Sequence, residues 1–269
     1  MRRPLVAALI LVGTAACSYI FELPETTTAP IEPGGEGGLE DVSVAEASTP
    51  PPYVPPPSVP FCETQAAPFL YCNDFDDDPA PDLATIGAVQ VTEGGQLLFS
   101  NAVALSFPRS LLATARGTNA AAAITRDLGT NPDGVTLSFD LLVSAWTTTD
   151  AQLAELVLTD PGSQCVVRIG GTATTWTVTQ VCTAGGAETA RVTNDSTTPI
   201  ARGRWQRYRL GIVFAPTKNV FLEIDGTRVL EVPGAAPLQR APTSIGLGAK
   251  SVTDGSVTLF HDNVLVTSP

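Results

Sequence analysis

Several short constellations in the chain carry residue types that do chemistry. Glu223 and Asp225 are carboxylates at alternate positions, the start of an arrangement that could cleave a glycosidic bond. A retaining cleavage needs two carboxyl groups about 5 Å apart, one to attack the anomeric carbon and one to protonate the leaving oxygen. Thr227 and Arg228 stand where the second acid would have to be, so the proton donor is missing and Asp225-Gly226 reads as a turn. Asp74, Asp76 and Asp78 also alternate, which on an extended chain would set three carboxylates on one face. They do not make an EF-hand, because Pro79 and Thr85 occupy its Gly and Glu positions. His261 is the single histidine. Its neighbour Asp262 would point to the opposite face of a strand and could not orient it as a base, so a strand-surface histidine is expected. Arg202, Arg204, Arg207 and Arg209 surround Trp205. They could grip a carboxylate through bidentate pairs, or form a solvated strand face with Trp205 in the core. Trp146 and Trp176 could stack on sugar rings or pack the core. Trp146, Trp176 and Arg207 are the ligand-binding candidates. No G-x-S-x-G, P-loop or dinucleotide fingerprint is present.

Composition narrows the classes further. The 269 residues carry a net charge of −12, with 16% charged and 43% hydrophobic residues. Such acidity argues against nucleic acid and against an anionic membrane surface as partners. One histidine makes most zinc enzymes improbable. The charge is uneven: residues 1–108 hold two arginines against fourteen acids, and the remainder is balanced.

The N-terminus reads as an export address. Arg2-Arg3 precedes an apolar run from Leu5 to Val12, then Gly13-Thr14-Ala15-Ala16 and Cys17, the three-part plan of a signal peptide. The apolar run is too short to span a bilayer, which takes about 20 residues. A cysteine after two alanines resembles the lipobox of bacterial lipoproteins, with Thr14 where that family has an aliphatic residue. The resemblance implies cleavage after residue 16, a diacylglycerol on Cys17 and, with Ser18 following, the outer membrane or cell surface. The other reading is an ordinary secreted protein cleaved after Ala16. Residues 17–60 are rich in Pro, Gly, Thr, Ser and Glu and cannot bury enough apolar surface to offset ordering, so a disordered tether is expected. With Cys17 lipidated, Cys62, Cys72, Cys165 and Cys182 remain, an even number in an oxidising setting. Three pairings are open; Cys62–Cys72 with Cys165–Cys182 is favoured, the second pair bracketing a hairpin.

From residue 61 to 269 the pattern is strand after strand. Val135–Leu141 and Tyr208–Phe214 alternate apolar and polar, and Asp225-Gly226 and Asp254-Gly255 supply tight turns. Val103–Phe107 and Ala121–Arg126 are expected as further strands, and Leu111–Arg116 or Ala120–Ala123 as a short turn of helix. Trp205-Gln206-Arg207-Tyr208-Arg209-Leu210, followed by Val220 to Gly226, together with Asn73-Asp74-Phe75-Asp76 and Asp262-Asn263-Val264, resembles the laminin-G and concanavalin A-like jelly rolls. The resemblance implies an all-β fold, a two-sheet antiparallel β-sandwich with first and last strands adjacent. It also implies a structural Ca2+ near those strands, for which Asp74, Asp76 and Asp262 are the nominated ligands. The fold hosts lectins, adhesion modules and glycosidases alike. The expected function is therefore an envelope-anchored lipoprotein presenting a non-catalytic module that binds glycan or an envelope protein. The alternatives are a polysaccharide-active enzyme, glycosidase or lyase, and a structural or protein-interaction domain. Asp140, Glu155 or Glu188 paired across a sheet would favour the enzyme.

Overall fold

The computed structural model describes residues 59–77, 81–251 and 253–268. The leader, Cys17, the tether up to residue 58 and Asp78 lie outside the described residues. Two short helices, α1 (Phe61–Thr64) and α2 (Leu83–Ile86), accompany fifteen strands among the described residues. The first eight are β1 (Tyr71–Asn73), β2 (Ala88–Val91), β3 (Gly95–Ser100), β4 (Ser110–Arg116), β5 (Ala120–Asp127), β6 (Gly134–Trp146), β7 (Ala151–Asp160) and β8 (Ser163–Gly171). The others are β9 (Thr175–Ala184), β10 (Ala187–Pro199), β11 (Trp205–Val213), β12 (Asn219–Ile224), β13 (Thr227–Pro233), β14 (Thr243–Ser251) and β15 (Ser256–Thr267).

The strands form two antiparallel sheets. One runs β13-β12-β11-β6-β15-β4-β3, with β1 also paired to β15, and the other runs β10-β9-β8-β7-β14-β5-β2. The first and last strands are neighbours: Tyr71, Cys72 and Asn73 sit opposite Val266, Leu265 and Val264. This is a β-sandwich of the expected class.

Strict alternation builds the core. In β6, Val135, Leu137, Phe139, Leu141 and Val143 are all buried, and β11 answers with Tyr208, Leu210 and Ile212. A column of rings links Trp146 to Trp176, Trp176 to Tyr208, Tyr208 to Phe139 and Phe139 to His261, with centroids 5.1 to 5.7 Å apart. Trp176 is the member supplied by the seven-stranded sheet.

Turns follow residue chemistry. Asp225 and Gly226 both have positive φ, 51° and 77°, the left-handed pair that joins β12 to β13 tightly. Asp225 also accepts from Arg207 N and Gln206 Nε2, both at 2.9 Å. The Asp254-Gly255 turn instead connects β14 to β15, which belong to opposite sheets, so it is a crossing and not a hairpin.

Other expectations are corrected by packing. Leu111–Arg116 and Ala120–Ala123 are strands β4 and β5, not helix. The alanines of β5 pair beside β14 in the same sheet, Ala120 to Ala123 opposite Ser251 to Gly248. Val103–Phe107 is a loop, because Leu105 N and Ser106 N donate to the Asp262 carboxylate at 2.9 and 3.0 Å rather than to a ladder. Trp205 is only half-buried; it sits opposite Leu142 on the outward register, and Trp146 and Trp176 take the core instead.

Both favoured disulfides are present, Cys62–Cys72 and Cys165–Cys182. The latter residues face each other directly in the β8–β9 ladder with Cα atoms 4.1 Å apart. Two disulfides fit an exported chain. Among the described residues no helix is long and apolar enough to cross a membrane.

Candidate functional site

The outer face of the seven-stranded sheet carries a polar cleft of about 290 Å³. Its floor follows from alternation. In β8, Cys165, Val167 and Ile169 point into the core, so Arg168 and Gly170 face outward. Register aligns them with their neighbours: Thr193, Thr179, Arg168, Glu155 and Gly246 form one row across β10, β9, β8, β7 and β14. Asp195, Thr177, Gly170, Gln152 and Lys250 form the next. Thr149 and Asp150 before β7, with Gly171 at the end of β8 and Thr172 after it, close one end.

Charges in and beside the cleft are unequally matched. Lys250 Nζ pairs with Glu155 Oε1 at 3.3 Å, and the Glu155 side chain lies over Gly246, where a Cβ would come 2.8 Å from Glu155 Cγ. Arg191 at the far wall is held by Glu188 at 2.6 Å, both well exposed. Arg168 is half-buried and makes no ion pair among the described residues. Its Nη1 donates to Gln152 Oε1 at 3.0 Å, while Nε is buried without a partner. Leaving a buried N–H unmatched costs about 1–3 kcal/mol. The remaining lining is hydroxyl-rich, with Thr179 and Thr193 oxygens 3.2 Å apart. No aromatic side chain lines the cleft.

The second polar centre lies on the outer face of the eight-stranded sheet, beneath α1 and the loop 101–109. Asp140 Oδ2 accepts from Arg207 Nη1 at 3.0 Å and Asn263 Nδ2 at 2.9 Å. Arg207 Nη1 also donates to Asn263 O at 2.7 Å, and its guanidinium carbon stands 5.0 Å from the Phe61 ring centroid. Burial pushes the Asp140 carboxyl up, and the Arg207 charge pulls against it; burial pushes Arg207 down. The adjacent Asp262 is fully buried, and its oxygens accept from Leu105 N, Ser106 N, Ser106 Oγ and Asn263 N at 2.8 to 3.0 Å. Burial raises its pKa to about 7 against those four bonds.

The sequence candidates therefore separate. Trp146 and Trp176 are 1% and 0% exposed and offer no face to a sugar. Arg207 is committed to Asp140, Asn263 and Phe61. His261 is fully buried, not on the surface: its Nε2 lies 3.3 Å from Gly248 O across the sandwich. Burial lowers its pKa to about 4, which leaves it neutral with Nε2–H as donor and Nδ1 unmatched.

The nominated calcium ligands Asp74, Asp76 and Asp262 each accept hydrogen bonds from the protein. Phe75 has φ 62°, which breaks the alternation expected to set Asp74 and Asp76 on one face; Asp78 lies outside the described residues. Asp74 Oδ2 accepts from Cys62 N at 3.0 Å, and Asp76 Oδ1 from Arg109 N at 3.1 Å. Asp262 is filled by four donors, whereas Asp76 Oδ2 is buried without a partner. Among the described residues no group of three or more acids, histidines or cysteines is placed to hold a metal.

Nor are the nominated acids Glu223, Asp140, Glu155 and Glu188 brought together for glycosidic cleavage. Glu223 is clamped by Arg209 at 2.6 Å and Arg228 at 2.9 Å. Asp140 lies in the other sheet from Glu155 and Glu188. Glu155 on β7 and Glu188 on β10 are three strands apart, at least about 14 Å by strand spacing, beyond either hydrolytic geometry.

The cleft residues Arg168, Gln152, Thr177, Thr179 and Thr193 escaped sequence reasoning. Each is an outward polar residue in an alternating strand, a pattern shared by every half-exposed strand in the chain. Only the register of β7 through β10 gathers them.

No family profile matches the sequence, and no curated protein matches it. Solved structures do match in fold. An endo-β-1,4-glucuronan lyase from the fungus Trichoderma reesei superposes with TM-score 0.59 at 15% identity, over 75% of this chain and 96% of that one. A carbohydrate esterase from the Shiga toxin-encoding bacteriophage phi24B gives 0.53 at 13%, over 75% and 99%. The cellulose-induced protein Cip1 gives 0.52 at 12%, over 74% and 97%. At these identities the likeness is one of fold.

Proposed function

We propose that the chain is an envelope-anchored lipoprotein whose β-sandwich binds a glycan, without cleaving it, in the cleft over β7 to β10. The observation that carries this reading is the cleft itself: an open, hydroxyl- and guanidinium-lined surface of about 290 Å³. Sugars are recognised by such convergent polar groups. Support comes also from the fold, which is shared with a glucuronan lyase and a carbohydrate esterase. Glu223, Asp140, Glu155 and Glu188 are not gathered into a carboxyl pair, which favours binding over glycoside hydrolysis.

A second reading, a protein-interaction domain, draws on the lack of aromatics in the cleft and on Leu105 and Phe107, which are 47% and 66% exposed on the loop docked to Asp262. One experiment separates the readings. The full-length chain is presented to a polysaccharide array while released oligosaccharides are measured. Saturable binding to one polysaccharide class with no released fragments is the expected result. Released fragments would establish an enzyme, and silence across the array would leave the protein-interaction reading.

The anchor has its own test. Cells expressing the wild-type chain should incorporate radiolabelled palmitate and hold the protein in the membrane fraction, and Cys17→Ser should abolish both. A wild-type chain that is unlabelled and free in the medium would overturn the lipid anchor and leave a secreted protein.

A further inference from the structure

We infer that the ligand of the cleft is an acidic polysaccharide and that Arg168 takes its anionic group. This inference rests on the glycan reading above and adds the chemical class. Three observations carry it. Arg168 is a half-buried guanidinium lining the cleft, with no ion pair among the described residues. Its cross-strand neighbour Glu155 directs its carboxylate to Lys250 instead. Its donors are incompletely used, because Nη1 holds Gln152 while Nε is buried and unmatched.

A guanidinium pairs with a carboxylate or a sulfate ester through its N–H fork; Nε of Arg168 is buried, so the fork meets a ligand through its terminal N–H groups. Gln152 already holds Nη1, so the guanidinium is positioned at the sheet surface before any ligand arrives, which lowers the ordering cost of binding. The hydroxyls of Thr177, Thr179 and Thr193 lie on the adjoining β9 and β10, placed to bond the hydroxyls of the same sugar or its neighbour. A neutral glycan would more usually be held by an aromatic platform, and the cleft has none. Uronate and sulfated sugars share the anionic chemistry, and the test separates them.

The full-length chain is titrated with a polyuronate, with the same polymer after reduction of its carboxyl groups to alcohols, with a sulfated polysaccharide and with a neutral one. Binding to the polyuronate or the sulfated polymer that weakens as salt is raised is expected, the responding polymer identifying the anion. If the polyuronate responds, carboxyl reduction should abolish its binding. Arg168→Gln should weaken binding about 10- to 100-fold, and Arg168→Lys, which keeps the charge but not the fork, should fall between. Carboxyl reduction acts on the ligand, so a polyuronate result stands even where a variant folds poorly; a sulfated polymer is treated likewise by desulfation. Equal affinity for neutral and acidic polymers would overturn the anion inference while leaving glycan binding intact. Full affinity in a folded Arg168→Gln chain would overturn the assignment to Arg168. Silence toward all four polymers would remove the glycan reading and this inference together.

Discussion

Replacing Trp176 by alanine should lower the unfolding free energy by about 3–5 kcal/mol, the range for deleting a buried aromatic. Trp176 is fully buried and meets Trp146 and Tyr208 edge-on, with centroids 5.7 and 5.1 Å away. Each such contact adds about 0.5–1.5 kcal/mol beyond the area removed from water. Urea titration reads the loss as a lower midpoint at unchanged slope. Trp176→Phe should cost far less, because it keeps a ring and removes an indole N–H that is buried without a partner. An alanine variant as stable as the wild type would show that this ring does not hold the sheets together. Any alanine chain that remains folded should keep its affinity for the cleft ligand, since Trp176 faces the opposite side of β9.

The second large effect is on pH. His261 has a folded pKa of about 4 against 6.5 unfolded, so the unfolded chain takes up the proton first as pH falls. Its stabilising contribution is fully present above pH 6.5 and is lost down to about pH 4. The total is about 3 kcal/mol, at 1.36 kcal/mol for each pH unit. The neighbouring Asp262 works in the opposite sense. Its folded pKa of about 7 lies above the ordinary 3.8, so the folded chain takes up that proton first and stability rises as pH falls through 7. Arg207 lies close enough to favour the Asp262 anion, as does Asp262 for the Arg207 charge, which moderates the rise. Between pH 7 and 4.5 the two residues offset each other in the wild type. Relative to it, His261→Leu should gain stability on acidification and Asp262→Asn should lose it more steeply. Denaturation midpoints of the three chains at half-unit pH steps test this; parallel profiles would rule out both assignments.

The parts of the fold legible in the sequence are those set by local rules. Val135 to Val143 alternates and is a strand with its apolar set inward. Asp225-Gly226 requires positive φ and makes the tight turn. Two cysteines bracketing a hairpin face each other in its ladder. Expectations went astray where a long-range partner overrode a local preference. Ala120–Ala123 has helical composition but lies in β5, because β14 pairs with its backbone residue for residue from Gly248 to Ser251. Val103–Phe107 has strand composition, but a carboxylate more than 150 residues away takes its N–H groups. His261 was expected on the surface by residue type; the sandwich admits it because one carbonyl on the opposite sheet accepts its proton. The cleft was invisible for a further reason: its floor is a register between four strands, and register is not written in any one of them.

The stapled entry of the chain also bears on how the domain carries mechanical load. Tension arriving from before Val59 meets the Cys62–Cys72 bond within a few residues. That bond passes the force to β1, which is hydrogen-bonded to β15, an interior strand of its sheet. Cys62 N is moored as well to Asp74, and Leu70 N to Val266 O at 2.7 Å. A pull on the N-terminus is thus delivered to the middle of the eight-stranded sheet and not to an edge strand. The cleft lies on the other sheet, away from the strand that takes the strain, so, under the function proposed above, drag on a captured polymer and tension from an anchor would be borne by different layers of the sandwich.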